Sequence, residues 1–199
     1  MAYVDRDDDI KPYLRIPADV TTDDELLDRL ILAAQNLIEA PSPIGTGRVW
    51  EAASATIRKF DAVRDLGDSN LELRWFDLDC CEITAIENGD GTTIPGSAYV
   101  TIPRRRTPFY GVDLLRGGSY VWTYDDTPEE AISVTGFWAF SKTPPAYIKQ
   151  IAIRIVAWMY RQQDGSISDV PIDTGSTVIY PSGFPKDIKE ALAGYRSLV

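Results

Sequence analysis

Two hydrophobic rhythms divide the chain: a helical one at both ends and an alternating one between them. Leu26, Leu27, Leu30, Ile31, Ala34, Leu37 and Ile38 recur at three- and four-residue spacing, which lines them along one helix face. Thr22-Asp23-Asp24-Glu25 places a hydroxyl three residues before a carboxylate, so a capping box is expected to open this helix. Pro41-Ser42-Pro43-Ile44-Gly45 stops it near Ala40. A shorter helix is predicted over 7–14, with an acidic first turn that suits the helix dipole and Pro12 early enough to be tolerated. The strongest helical pattern spans 144–163. There Ile148, Ile151, Ala152, Ile155, Trp158 and Met159 form a stripe, with Lys149, Arg154 and Arg161 off it. Pro185 begins a last helix that closes on Tyr195 and Arg196.

From about residue 48 to 141 the period shortens to two. Residues 55–60, 71–75 and 82–86 alternate apolar and polar, and Asn88-Gly89-Asp90-Gly91 supplies turn chemistry. Further strands are expected at 98–102, 119–124 and 131–140. The expectation is an α+β fold in a single domain over 1–199. Two N-terminal and two C-terminal helices frame a β-rich insertion between the second and third helices. Residues 164–183 form a long polar connection holding one short apolar piece, Thr177-Val178-Ile179-Tyr180. It reads either as a hairpin or surface loop, or as a partner-docking arm.

Charge narrows the partners. The chain carries a formal −10 and a pI near 4.5, against a basic face for gripping duplex DNA. No apolar stretch is long enough to span a membrane, and the acidic start at 1–9 does not read as a secretory signal. The two cysteines, Cys80 and Cys81, are adjacent, which fits a reducing compartment better than a disulfide framework. There is no histidine, which removes the commonest general base and most zinc-site types.

Five clusters invite chemistry. Asp173-Thr174-Gly175-Ser176 resembles the loop of aspartic proteases, but that chemistry needs two such carboxylates and this chain has one copy. Asp5-Arg6-Asp7-Asp8-Asp9 lacks the spacing of a calcium loop and reads as a solvated helix start. Gly45-Thr46-Gly47 follows a helix rather than a strand, so it reads as a turn and not a dinucleotide fingerprint. Pro103-Arg104-Arg105-Arg106-Thr107-Pro108 is the one dense basic cluster. It is either a patch for an acidic neighbour or a passing phosphate backbone, or a solvated loop. Cys80 and Cys81 read as strand residues facing opposite ways. No enzymatic activity, cofactor or metal is expected.

Several segments, taken in order, resemble the head-to-tail connector (adaptor) proteins of long-tailed bacteriophages and related phage-like particles. These are the short helix Ile10–Ile16, the acidic-capped helix Asp23–Ala34 and the turn Gly47-Arg48-Val49-Trp50. Val134-Thr135-Gly136-Phe137-Trp138 follows, then the proline-started helix with Ala157-Trp158 and the closing helix from Pro185 to Arg196. The compact members of that family have much less between the second and third helices. The resemblance implies a structural virion protein at the neck, the head-tail junction, assembled in the host bacterial cytoplasm. It implies a homo-oligomeric ring, a dodecamer, that joins the portal at the capsid vertex to the stopper or tail. Double-stranded DNA would pass through its channel without sequence-specific binding. A neighbouring stopper or tail-terminator ring protein is the alternative. The partner-binding candidates are Arg104, Arg105, Arg106, Asp173, Val178, Ile179, Tyr180, Phe184, Tyr195 and Arg196.

Overall fold

Helices form where the apolar rhythm placed them, with changes at their caps. The computed structural model describes residues 3–67, 70–74, 76–165 and 184–196, with 163–165 described by backbone alone. The chain divides into two compact units. One combines Met1–Arg48 with Pro145–Val199, and the other is Val49–Pro144.

In the first unit, Arg6–Ile10 winds as a π-helical turn that runs straight into α1, Lys11–Leu14. Asp5 caps this turn, its carboxylate accepting the backbone N–H of Asp7 at 2.7 Å and of Asp8 at 2.9 Å. Arg15, in the left-handed region at φ 61°, ends α1. The longer helix α2 spans Asp24–Glu39. Its N-cap is Asp23 rather than Thr22, and no side chain caps it, so the expected capping box does not form. The Asp23 carboxylate accepts the Tyr160 hydroxyl at 2.6 Å instead, a tertiary partner in place of a local one.

Leu27, Ile31, Ala34 and Ile38 form the buried face of α2, flanked by half-buried Leu26, Leu30 and Leu37. Helix α3, Ala146–Gly165, is buried on more sides than a stripe allows. Ile148, Ile151, Ala152, Ile153, Ile155, Val156 and Ala157 are all buried, while Trp158 and Met159 are only half-buried. The reason is its central place, since α2, α1 and the π-helical turn all pack on it. The last helix, α4 (Lys186–Ala193), buries Ile188 and Leu192 and is tied to α3 by the Arg154–Asp187 ion pair.

The second unit holds two three-stranded antiparallel sheets. Strands β1 (Thr56–Phe60), β6 (Ile132–Phe137) and β3 (Glu82–Glu87) form one, with β6 central. Strands β2 (Glu72–Arg74), β5 (Gly111–Leu114) and β4 (Tyr99–Ile102) form the other, with β5 central. The central strands are the more buried, in alternation on β6 and almost throughout on β5. Phe60, Phe76 and Trp138 make an aromatic core with ring centroids 5.0, 5.1 and 5.9 Å apart.

Gly136 and Gly111 make that pairing possible. A Cβ on Gly136 would lie 2.5 Å from the Glu82 carbonyl oxygen, and one on Gly111 would lie 2.5 Å from that of Leu73. The expected strand at 119–124 is instead irregular. Trp122 anchors it from within the core, its indole N–H donating to the Leu71 carbonyl at 2.8 Å.

Entry and exit of the insertion lie side by side. Glu51 and Ser141 form a parallel bridge, and the Phe140 N–H donates to the Val49 carbonyl at 2.9 Å. The Ser141 hydroxyl donates to the Trp50 carbonyl at 3.1 Å. Among the described residues, no helix is long and apolar enough to cross a membrane.

Candidate docking surfaces

The acidic start at 5–9 spends its charge inside the helical unit. Lys11 is buried, and its ammonium lies 2.8 Å from Asp24 and 3.0 Å from Asp7. Arg6 adds contacts to Asp7 at 2.9 Å, Asp28 at 3.0 Å and Asp24 at 3.6 Å. Asp9 pairs with Lys149 at 3.0 Å. Hydrogen bonds from Arg6 and then Lys11 hold the Asp7 carboxyl at about 2, and those to Asp24 and then Asp7 raise the Lys11 ammonium. Among the described residues no group of three or more acidic, cysteine or histidine side chains is arranged to hold a metal ion.

Burial keeps both cysteines in the thiol form. Burial pushes the Cys80 thiol up to about 12, and burial raises that of Cys81 too. Contrary to expectation, neither is a strand residue: Cys80, fully buried, forms an isolated bridge to Phe109, and Cys81, half-buried, sits in a bend just before β3.

Of the residues predicted to meet a partner, three sit around α4. Phe184 packs edge-on against Trp158 with centroids 5.4 Å apart. Tyr195 stacks on Tyr147 at 4.4 Å, and burial followed by that neighbour pushes the Tyr147 hydroxyl up to about 12. Arg196 donates to the Pro43 carbonyl. These three side chains thus fasten the end of the chain to its own helical unit, while Tyr195 stays 40% exposed. Asp173, Val178, Ile179 and Tyr180 lie outside the described residues, as does Trp75.

Arg104, Arg105 and Arg106 stand together on the turn joining β4 to β5, all exposed. Arg105 takes the left-handed conformation at φ 58°. None of the three guanidinium groups has an ion-pair or hydrogen-bond partner among the described residues. Beside them an open groove of about 360 Å³ is lined by Gly96, Tyr99, Val100, Thr101, Arg104 and Arg105. By contrast, Arg58 pairs with Asp77 over the Trp138 ring, and Lys142 pairs with Glu82 at 2.6 Å.

Sequence reasoning missed a counterpart, the exposed run Asp125-Asp126-Thr127-Pro128-Glu129-Glu130 before β6. Two acidic pairs around a proline were the available signal.

No protein-family model and no curated protein matches this sequence. A solved structure described as the neck of an empty GTA particle, computed with C6 symmetry, contains a chain of similar fold. The likeness covers 96% of this chain and 88% of that one, with a TM-score of 0.52 at 17% identity.

Proposed function

We propose that this chain is a structural protein of the neck of a phage-like particle. In this reading it is an adaptor that assembles as a ring between the portal and the stopper or tail, and it makes and breaks no covalent bond. The observation that carries the reading is the fold likeness to the neck chain, which extends through both the helical unit and the β-rich insertion. Four helices framing an insertion favour the adaptor over a stopper or tail terminator, ring proteins that are richer in strand and lack the flanking helix pairs. Sixfold symmetry, used to compute that neck, divides a dodecameric ring evenly. A net charge of −10 suits a collar through which DNA slides without adhering.

The test is reconstitution. Purified protein is added to portal-bearing, tailless capsids, and the portal vertex is imaged by cryo-microscopy. A new ring directly under the portal is the expected result. A ring that forms only on capsids already carrying an adaptor reassigns the chain to the stopper. No added density on either particle ends the neck reading. Truncation at residue 164 is an unclean probe, because it removes Ile188 and Leu192 from the core of the helical unit.

A further inference from the structure

Register in the β-rich unit puts its two unpaired charge clusters at opposite ends. Strand β6 runs from Ile132, opposite Phe60, to Phe137, opposite Glu82. At its start the Ala62 N–H donates to the Pro128 carbonyl at 2.8 Å, which fixes the acidic run Asp125, Asp126, Glu129 and Glu130 there. Asp61 and Asp65 add two carboxylates to this end, and Arg64 adds one cation. At the far end of β6 the Cys81 N–H donates to the Phe137 carbonyl at 2.9 Å, and Cys80 bridges to Phe109. Phe109 directly follows the turn carrying Arg104, Arg105 and Arg106. Six strand residues separate the ends by about 20 Å.

Each cluster is dressed for contact. Tyr110 is 49% exposed beside the arginine turn, and Tyr124 is 44% exposed beside the acidic run. Tyrosine and arginine are enriched in protein interfaces relative to the rest of the surface, and the acidic run supplies the complementary charge. None of the four carboxylates and none of the three guanidinium groups has a side-chain partner among the described residues.

We infer that the arginine turn of one copy docks on the acidic run of the next, a head-to-tail contact between β-rich units. Repeated head to tail, this contact generates a ring or an open series; reciprocated between two antiparallel copies it would stop at a two-fold dimer, and a wild type that grows no further than a dimer overturns the head-to-tail arrangement. Complementary charge steers the two ends together and sets the register of the contact, while excluding water strengthens the attraction at a desolvation cost. The groove beside Arg104 and Arg105 gives a carboxylate a recessed place to enter. This contact rests on the ring reading proposed above for its setting.

Sedimentation of the full-length protein at low and high salt tests it. Wild type is expected to form concentration-dependent larger species at low salt and to lose them at high salt. A triple variant, Arg104→Glu, Arg105→Glu and Arg106→Glu, has two acidic ends. A quadruple variant, Asp125→Lys, Asp126→Lys, Glu129→Lys and Glu130→Lys, has two basic ends. Each alone should stay monomeric, and an equimolar mixture should associate again. Circular dichroism checks that both are folded, with Arg104→Gln, Arg105→Gln and Arg106→Gln as the milder replacement expected to lose association. A monomeric wild type, a mixture that stays monomeric, or a triple variant that associates like wild type overturns the contact. So does a triple variant that loses only binding to a duplex DNA probe. Capsid joining is scored in parallel: joining without association between the swapped variants removes this contact and leaves the neck reading, and association without joining does the reverse.

Discussion

Lys11 is a charge kept inside the helical unit by its neighbours. Asp24 from α2 and Asp7 from the preceding turn neutralise it, and its Nζ lies 3.5 Å from the Ala18 carbonyl. Removing the cation leaves carboxylates facing one another, so Lys11→Met should lower the melting temperature more than Lys189→Met at an exposed position of α4, by differential scanning calorimetry. The pH dependence follows from the two shifts. Asp7 is held at about 2 against an ordinary 3.8, so its stabilisation is complete above 3.8 and is lost as pH falls toward 2. Lys11 is raised above 10.5, so its stabilisation is complete below 10.5 and is lost as pH climbs through the raised value. Urea midpoints against pH should therefore fall at both extremes for wild type, and Lys11→Met should shrink the alkaline fall, leaving the part that belongs to the Cys80 thiol and the Tyr147 hydroxyl, and weaken the acid one. This network was not legible in the sequence, where Lys11 is one lysine beside an acidic run. Its burial depends on α2 arriving from thirteen residues downstream. The Tyr160–Asp23 bond, across 137 residues, was hidden for the same reason.

Long, strongly periodic elements were legible; short ones set by a neighbour were not. Helices α2 and α3 repeat their apolar positions often enough to declare themselves, although the burial of α3 beyond its stripe depends on how many elements surround it. Strand β5 has four residues and begins with a glycine, so nothing local marks it; pairing on both sides makes it a strand. Tyr120 and Trp122 alternate like a strand, yet Trp122 is spent on a single anchor to Leu71. The arginine cluster was visible as composition, but its position opposite the acidic run came only from the register of β6. Two predictions belong at this scale. Gly136→Ala pushes a Cβ into the Glu82 carbonyl, so it should cost more than the ~1 kcal/mol of an average substitution and open β3 amides to hydrogen exchange before those of β1. Ile155→Ala, at the fully buried centre of α3, should cost about 2–5 kcal/mol by urea unfolding.

At the scale of the whole molecule, the insertion has a core of its own, from Phe60 through Leu73, Val112 and Ile132 to Trp138. A fragment of residues 49–144 should therefore fold alone, with a cooperative melt and dispersed amide resonances; a gradual melt with collapsed resonances would show that it borrows order from the helices. The helical unit has no such independence, because α1 and α2 precede the insertion while α3 and α4 follow it. Closing a long disordered loop to bring α2 and α3 together carries an entropic cost that a folded insertion with tethered ends removes. The bridge between Glu51 and Ser141 is that tether. Its consequence is temporal: on the ribosome α2 waits without its main packing partner until residue 146 and beyond emerge, and the insertion, already shut, hands α3 to it. Refolding of the helices should then inherit the speed of the strands, so that slowing the sheet slows the bundle.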